Sequence, residues 1–356
     1  MQNSKICFIT LGNLYLCPYI KKYIALINCS FDVIYWDRHN IEENIGAERI
    51  FSFKYNMNDS AGKLKKLYGY LKFRKYAVEI LENNNYDKIV LLQTSAGIFL
   101  QSILLKKYRK KYIVDIRDYT MEDNPIFFAI EEKLIKNSAF AVISSKGYEK
   151  FLPAYNYILV HNDIFIDEDV IKKFENKARN KNKIVISFIG LIRFQDQNKK
   201  VILKFINDDR FILKFIGKNA LLLKNFCEEH NIKNVELIDM FPPEKTLDYY
   251  YEADIIYNLY GNNTPLLDYA LSNKLYYAAK LKMPILVCPN TYMAEVSEKN
   301  GFGIVFDIDK TNAIEKLYET YNSIDWHELN IKSNSFLMEV ENDNNLFNNI
   351  IKNFLC

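Results

Sequence analysis

The segment SNKLYYAAKLKMPILVCP, residues 272–289, holds the residues whose types and order point most directly to chemistry. Asn273 is a candidate N-cap of an amphipathic helix, and Lys274 follows it at the helix start. Backbone N–H groups in a first helical turn have no partners within the helix, so they can bind an anion. A polar helix start, an amphipathic run and an apolar strand after Pro284 therefore predict an anion-binding site at the beginning of this helix.

Short apolar runs alternate with helical patterns along the whole chain, and these elements must position that site. Strands are predicted at residues 5–10, 31–36, 88–92, 111–116, 140–144 and 158–161, and again at 183–189, 211–217, 235–238, 255–259, 285–288 and 303–306. Apolar strands bounded by polar turns, with helices between them, are typical of parallel sheets covered on both faces. Ligands of such sheets bind at the carboxyl ends of the strands.

The predicted fold class is α/β, with two Rossmann-like domains facing each other across a cleft. A chain of 356 residues is long enough for two domains. The first domain is predicted at residues 1–165 and the second at residues 183–340. A polar, charged connector at residues 167–183, which includes the helix-like run KKFENKARN, separates them.

The segment 272–289 resembles the donor half of GT-B type glycosyltransferases, especially family 4, in which the order K-L-Y-E-Y-x-A-x-G-x-P-V-I recurs. Lys274, Leu275, Tyr276 and Pro284 match this order. Further segments resemble the same family in the same sequence order, at residues 141–152, 158–165, 186–208, 211–260 and 301–319. The resemblance implies a GT-B fold, an acceptor-binding first domain, a second domain that binds a nucleotide sugar, and a last helix (residues 342–354, within 341–356) that crosses back to the first domain.

The resemblance also assigns the cations. Arg193 ends the first strand of the second domain and Lys199 follows six residues later, the spacing at which the family contacts the donor phosphates. Charge builds on a diphosphate as the sugar leaves, so two or more cations or N–H donors are needed. Lys200 is the rival of Lys199, and both could instead be ordinary solvent lysines. Lys274 is a further candidate ligand.

One departure from the family is chemically important. Its paired glutamates, eight positions apart, fall on Tyr269 and Tyr277, and Asp268 is the only carboxylate nearby. A tyrosine hydroxyl can bind a ribose hydroxyl but cannot act as a bidentate anionic acceptor. Tyr277 is either a donor contact or a packing residue. A protein that has lost its transferase activity is therefore a further alternative.

The remaining donor candidates lie in loops of the second domain. By resemblance, the loops after Gly217 and around Met240 and Phe241 read the base through backbone groups. Asn262 and Thr264, in the loop at residues 260–264, would face the sugar and phosphates, although the same composition suits any turn. Asp254 is expected to be structural.

In the first domain, the run YIVDIRDY ends a strand at a polar turn. By resemblance to enzymes that build bacterial surface glycans, Asp118 would orient or deprotonate the acceptor hydroxyl. The alternative is a structural ion pair between Arg117 and Asp118. Gly12, after the first strand, would leave room for the acceptor and the donor phosphate. His161 is expected to be satisfied by its neighbours.

Charge is spread unevenly along the chain. Residues 60–112 contain twelve Lys or Arg and three acidic residues, which leaves +9, although the whole chain carries only +3. Leucines at 64, 67, 71 and 81 and Val78 recur there at helical spacing. Two interpretations are open: a lysine-rich helix docked by its leucine stripe, or an amphipathic helix that lies on an anionic membrane. The residues show no nucleic-acid-binding motif.

The six cysteines show no metal-binding spacing and indicate reduced thiols in a cytoplasmic protein, which could be peripheral on the inner face of the plasma membrane. No metal and no cofactor are expected beyond the nucleotide sugar itself. The predicted function is transfer of a sugar from a nucleotide diphosphate sugar to a glycan or lipid-linked acceptor, with retention and without metal. The alternatives are a GT-B pseudoenzyme that serves as a partner subunit and a nucleotide-sugar epimerase.

Overall fold

The structure is a computed structural model that describes residues 4–57, 62–178 and 183–356. The chain divides into two compact units, one formed by Met1–His161 with Asn342–Cys356 and the other by Asn162–Glu341. Part of the predicted connector, residues 179–182, lies outside the described residues. The acceptor and donor roles of the two units stay predictions.

The first unit is built on a parallel sheet of seven strands. The strands are β1 (Ile6–Thr10), β2 (Phe31–Asp37), β3 (Arg49–Lys54), β4 (Lys88–Leu91), β5 (Tyr112–Ile116), β6 (Phe140–Ile143) and β7 (Ile158–Leu159). Their order is β3-β2-β1-β4-β5-β6-β7. β3 was not predicted, because this edge strand is only half-buried and begins and ends with a charged residue, so it lacks an apolar run.

In the part of this unit that the structure describes, four helices connect these strands. They are α1 (Ile20–Ile24), α2 (Lys63–Asn83), α3 (Thr94–Lys107) and α4 (Pro125–Asn137). Short 3-10 turns occur at Leu14–Leu16 and Lys146–Lys150. Asn124 caps α4, since its side chain accepts hydrogen bonds from the backbone N–H groups of Ile126 and Phe127.

The second unit repeats this plan with a parallel sheet of six strands, in the order β10-β9-β8-β11-β12-β13. The strands are β8 (Ile184–Ile189), β9 (Phe211–Ile216), β10 (Val235–Ile238), β11 (Ile255–Asn258), β12 (Ile285–Val287) and β13 (Gly303–Val305). All six were predicted. Ile186 and Phe188 of β8 enter one apolar core and Ile189 enters another, so both faces of the sheet are covered.

The helices of the second unit are α5 (Glu168–Glu175), α6 (Gln195–Lys204), α7 (Lys224–Glu229), α8 (Thr246–Glu252), α9 (Pro265–Tyr269), α10 (Asn273–Lys280), α11 (Tyr292–Lys299) and α12 (Ala313–Asn322). The last helix, α13, spans Trp326–Leu355 and therefore begins well before the predicted residue 342. Its Phe336 belongs to a core of the second unit, and its Phe347 and Ile351 belong to the core of the first.

Each sheet has one point at which its strand order reverses. In the first sheet this point lies between β1 and β4, and in the second it lies between β8 and β11. Ligands of open α/β sheets bind outside the carboxyl ends of the strands at such points. Gly12 follows β1, whereas Gly190 and Tyr260 follow β8 and β11. The described helices include none that is both long and apolar enough to cross a membrane.

Candidate functional site

The carboxyl ends of β8 and β9 approach each other closely in the second unit. The Gly190 N–H donates to the Ile216 carbonyl oxygen at 2.9 Å. Gly217 has a φ of +125°, and a Cβ atom there would lie 2.1 Å from the Gly190 carbonyl oxygen. Gly217 is therefore required by the backbone itself, whether or not a ligand binds.

Arg193 lies in the turn that leads from β8 into α6, and it is exposed. Its carbonyl oxygen accepts a 2.7 Å hydrogen bond from the buried Asn198 amide, which holds this turn. Phe194 has left-handed backbone angles, φ 56° and ψ 54°, and begins the helix. Within the described residues, the Arg193 guanidinium forms no ion pair, so it can bind an anion.

Lys274 is a buried cation of the second unit. The residue is 8% exposed, yet its ammonium group has no ion-pair partner among the described residues. Its Nζ atom donates to the Tyr260 hydroxyl at 2.8 Å and lies 4.6 Å from the centre of the Phe188 ring. Cation–π attraction and one hydroxyl thus replace the carboxylate that a buried ammonium usually has.

Tyr260 connects this lysine to the Arg193 turn. Its ring centre lies 5.4 Å from that of Phe188 and 5.4 Å from that of Phe194, the neighbour of Arg193. The structure thus brings the Lys274 side chain and the Arg193 turn to one aromatic cluster at the point where the strand order reverses. This end of the sheet carries cations, and Lys274 has no carboxylate partner among the described residues. It therefore suits an anionic ligand.

The two neighbouring lysines of α6 differ in their surroundings. Lys199 lies 3.9 Å from Asp196 and 5.6 Å from the Phe226 ring centre. Lys200 lines a cavity of about 280 Å³, together with Asn262. The rest of the cavity lining is Gln197, Val201, Leu259, Gly261, Asn263, Cys288, Pro289, Phe306, Asp307, Ile308 and Asp309. Lys200 therefore lines this cavity, and which of the two lysines contacts the donor stays a prediction.

The loop after β11 is held by its own polar groups. Asn262 donates through Nδ2 to the Pro289 carbonyl oxygen at 2.9 Å and accepts from Asn263 at 2.7 Å. Thr264 is exposed and precedes α9. Asp268 accepts from the Asn263 N–H at 2.8 Å. The carboxylate that precedes Tyr269 in the sequence therefore stabilises this loop.

The first turn of α10 differs in one respect from the prediction. Ser272, not Asn273, is the N-cap, and its hydroxyl accepts from the Lys274 N–H at 3.2 Å. Asn273 is exposed as the first residue of the helix. The Ser272 hydroxyl reaches the Lys274 N–H in the first turn, so the predicted N-cap is wrong by one residue.

Tyr277 is half-buried on α10, and its ring stacks on Tyr250 with centres 4.5 Å apart and planes 26° apart. Burial raises the pKa of the Tyr277 hydroxyl, so the group stays protonated at neutral pH. Tyr269 ends α9. The stacked pair shows a packing role for Tyr277, and a ribose contact stays a prediction.

Two predicted base-reading residues follow β10. Met240 is 71% exposed, and Phe241 packs edge-on against Tyr249 with ring centres 4.8 Å apart.

Asp254 is buried and accepts from the Val185 N–H at 2.9 Å, with Lys177 3.8 Å away. These contacts give Asp254 a structural role.

In the first unit, Asp118 is exposed two residues after β5. Arg117 forms a bidentate pair with the buried Asp115, at 2.6 and 2.7 Å, and Tyr23 donates to Asp115 at 2.8 Å. Asp115 is thus structural. A Cβ atom on Gly12 would meet only Leu16, at 3.7 Å, so protein packing does not require a glycine there.

Sequence reasoning missed a polar network that holds the loop after β1. The buried Asn13 amide donates to Asp37 and Glu43, each at 3.0 Å. These acids also line a cavity of about 460 Å³ at the ends of β2 and β3. His161 is buried and pairs with Asp343 at 3.0 Å, so its neighbours do satisfy it.

None of the protein-family models compared with the sequence matches it, and none of the curated proteins does. Solved structures do match over nearly the whole chain. Sucrose-phosphate synthase from Thermosynechococcus elongatus is 10% identical with a TM-score of 0.69, over 99% of both chains. HepE of Anabaena in complex with UDP-glucose is 12% identical with a TM-score of 0.64, over 99% of both chains. WaaG, a glycosyltransferase involved in lipopolysaccharide biosynthesis, is 9% identical with a TM-score of 0.65, over 97% of this chain and 99% of that one.

The fold is GT-B. Its two parallel sheets match those of these glycosyltransferases, and this is the fold that the resemblance implied. At such low identity the likeness establishes the fold alone, so the roles of individual residues depend on the geometry described above.

Within this GT-B fold, sequence reasoning missed the aromatic partners of Lys274. Tyr260 was noted only as the start of a loop, and Phe188 only as part of a strand. The available signal was an aromatic residue near the end of each of the two central strands: Phe188 near the end of β8 and Tyr260 after β11. Of the residues described, no group of three or more His, Cys, Asp or Glu is placed to hold a metal ion. Metal independence stays a prediction.

Proposed function

We propose that this protein transfers a sugar from a nucleotide diphosphate sugar to a glycan or lipid-linked saccharide in bacterial surface polysaccharide synthesis. The observation that carries the proposal is the buried Lys274 ammonium group, which has ring and hydroxyl partners but no carboxylate. A diphosphate supplies the missing negative charge. Solved structures of the same fold contain UDP-glucose and UDP, which supports a nucleotide-sugar donor.

The roles of the residues follow from charge. Lys274 and Arg193, with Lys200 from the neighbouring cavity, stabilise the negative charge that develops on the leaving diphosphate. Cationic side chains can do this work without a metal ion. Asp118, at the carboxyl end of β5, orients the acceptor hydroxyl, and the leaving phosphate takes its proton on the same face of the sugar, so the anomeric configuration is retained.

The direct test measures binding and turnover separately. A thermal-shift screen of the full chain with UDP, GDP, ADP and the matching nucleosides should give a rise in melting temperature for one diphosphate and little for its nucleoside. Slow hydrolysis of the corresponding nucleotide sugars should then identify the donor. No stabilisation by any nucleoside diphosphate overturns the proposal.

A second candidate is a pseudoenzyme that binds nucleotide without transferring sugar. Two observations favour it. The helix α10 carries no acidic residue, and Tyr277, which stands at the position of the family glutamate, stacks on Tyr250. Diphosphate binding without hydrolysis or transfer over the whole donor panel would support this candidate over the enzyme.

We further infer that the protein works at an anionic membrane surface through residues 60–112, of which 60 and 61 lie outside the described residues. The interpretation that leucines dock α2 is wrong for its first half. Leu64, Leu67, Tyr68 and Leu71 are 84%, 51%, 54% and 51% exposed, whereas the core face is formed by Gly69, Phe73, Ala77, Ile80 and Leu81. Their spacing places the four exposed residues on one side of the helix.

Charge complementarity identifies the surface that this face suits. Lys65, Lys72 and Lys75 on the same helix are exposed, and the surrounding segment carries +9. Apolar side chains flanked by lysines bind the boundary between lipid headgroups and acyl chains when the lipids are anionic. The inner face of a bacterial plasma membrane, with a lipid-linked acceptor, fits this chemistry.

A further inference from the structure

The short helix α10 carries the best candidate donor ligand at one end and a salt bridge at the other. Lys274 lies in its first turn, Tyr277 in the middle and Lys280 at its last position. Residues three apart lie on the same side of a helix, so Tyr277 and Lys280 are neighbours along it. Whatever holds Lys280 therefore also influences where Tyr277 and Lys274 are placed.

Lys280 is held by the segment that directly follows the junction of the two units. The chain passes from one unit to the other between His161 and Asn162. Lys280 Nζ lies 3.1 Å from Asp163 Oδ1 and 3.3 Å from Oδ2, and it also donates to the Ile164 carbonyl oxygen. The side chains of Lys280 and Asp163 are only 18% and 25% exposed.

Asp163 is itself fixed in place. Its Oδ1 atom accepts from the Ile164 N–H at 2.8 Å. The carboxylate thus joins the backbone of this segment to the last side chain of α10.

We propose that Asp163 and Lys280 are positioning residues that set the location of α10 along its axis and so place Lys274 for the donor diphosphate. The inference rests on the proposed function. Eight residues form too short a helix to be stable by itself, so its position depends on tertiary contacts. The buried residues of α10 hold it against the core, but apolar contacts are non-directional. A charge-assisted hydrogen bond adds direction at the end opposite Lys274.

The test compares Lys280→Met with a matched control, Lys214→Met. Lys214 lies on β9 with a side chain 15% exposed, and it pairs with Glu236 at 2.9 Å and Glu252 at 3.2 Å. Both variants remove a partly buried, ion-paired lysine of the same unit. Each is measured by calorimetric titration with the nucleoside diphosphate that stabilises the wild-type protein, and by melting temperature without ligand.

We expect Lys280→Met to weaken diphosphate binding by about tenfold, because a displaced Lys274 would lose its charge-assisted contact with the diphosphate. Lys214→Met should keep wild-type affinity with a similar change in melting temperature. The charge-reversed double variant Asp163→Lys with Lys280→Asp should recover most of the affinity that Lys280→Met loses.

Four results overturn the inference. Wild-type affinity in Lys280→Met, or an equal loss in Lys214→Met, removes the positioning role while the proposed function stands. Failure of the charge-reversed pair to recover affinity shows that the contact between the two side chains is not what matters. Absence of diphosphate binding by the wild-type protein overturns the proposed function, and the positioning role with it.

Discussion

The Lys274 ammonium group donates a 2.8 Å hydrogen bond to the Tyr260 hydroxyl, from a residue that is only 8% exposed. The two residues belong to different elements, since Tyr260 follows β11 and Lys274 begins α10. A neutral hydroxyl solvates an ammonium group without neutralising it. The pair therefore keeps a positive charge available at the point where the strand order of the second sheet reverses.

Lys274→Met should separate binding from stability. Removing a buried charge that has no counter-ion should leave the melting temperature of the free protein unchanged or higher. Diphosphate affinity should fall by at least about tenfold, because a charge-assisted contact is lost. Thermal unfolding and calorimetric titration measure the two effects. A clear drop in melting temperature together with wild-type affinity would make Lys274 a structural residue.

Arg193→Ala should weaken nucleoside diphosphate binding by roughly 1.5–3 kcal/mol, the scale of a hydrogen bond to a charged group. The melting temperature without ligand should barely change, because the side chain is exposed. Arg210→Ala is the matched control. Arg210 precedes β9 at the amino end of the sheet and pairs with Asp208 at 2.9 Å and Glu315 at 2.7 Å. Equal affinity of the Arg193 variant for diphosphate and nucleoside would remove the phosphate role.

Tyr277→Phe tests the departure from the family glutamate. The ring can still stack on Tyr250, so the fold should be preserved. If the Tyr277 hydroxyl binds the donor ribose, its loss should raise the donor KM while kcat changes little. An unchanged KM would leave Tyr277 as a packing residue, and Tyr250→Phe then shows whether its stacking partner has any part in binding.

Reversing the charge of Lys65, Lys66, Lys72 and Lys75 to Glu should abolish binding to anionic vesicles. Each basic residue near the surface contributes about 1 kcal/mol, and salt screens this within about 10 Å at 0.1 M. Co-sedimentation of the wild-type protein should be strong at low salt and weak at high salt. Reversal of Lys233, Lys299, Lys310 and Lys316 in the second unit, an equal change in charge, should leave binding nearly intact. If the wild-type protein co-sediments equally with neutral and anionic vesicles, the proposed binding to an anionic membrane is wrong.

Glu131 should make stability depend on pH. The residue is fully buried on α4, and within the described residues neither carboxylate oxygen has a close hydrogen-bond partner. Burial, with the nearby Glu122 charge, raises the pKa of Glu131 from 4.5 to about 8, and the Thr94 hydroxyl offsets this in part. The folded state then binds the proton more tightly than the unfolded state. The contribution of protonated Glu131 to the free energy of unfolding is complete below pH 4.5, declines as the pH rises and is lost above pH 8.

The Glu131→Gln variant keeps the shape of the side chain without an ionisable group. Its free energy of unfolding should fall less between pH 5 and 9 than that of the wild-type protein, by as much as roughly 5 kcal/mol. Glu132→Gln is the control, because the Glu132 side chain is 40% exposed and pairs with Lys136 at the surface. Denaturant titrations at several pH values measure the slopes. Parallel slopes for the wild-type protein and Glu131→Gln would show that Glu131 is ionised in the folded state.

The predicted elements differ in how well the sequence located them. The predicted strand at residues 5–10 matches Ile6–Thr10 to within one residue, because this central parallel strand is buried along its whole length and its apolar run is plain in the sequence. The edge strand Arg49–Lys54 was missed, since its exposed side permits polar residues. The start of α13 at Trp326 was also missed, because a helix rich in Asn and Ser has low intrinsic propensity and is held by tertiary contacts.

By itself, the sequence determined the α/β class, the two series of strands, the position of Arg193 after a strand and that of Lys274 at a helix start. These features follow from local periodicity, which each segment carries in its own residues. Only the tertiary structure decided that Lys274 contacts Tyr260, that Lys200 rather than Lys199 lines the cavity, and that Leu64, Leu67 and Leu71 are exposed. Such contacts depend on which face of each helix packs against the sheet, and packing of distant segments sets that choice.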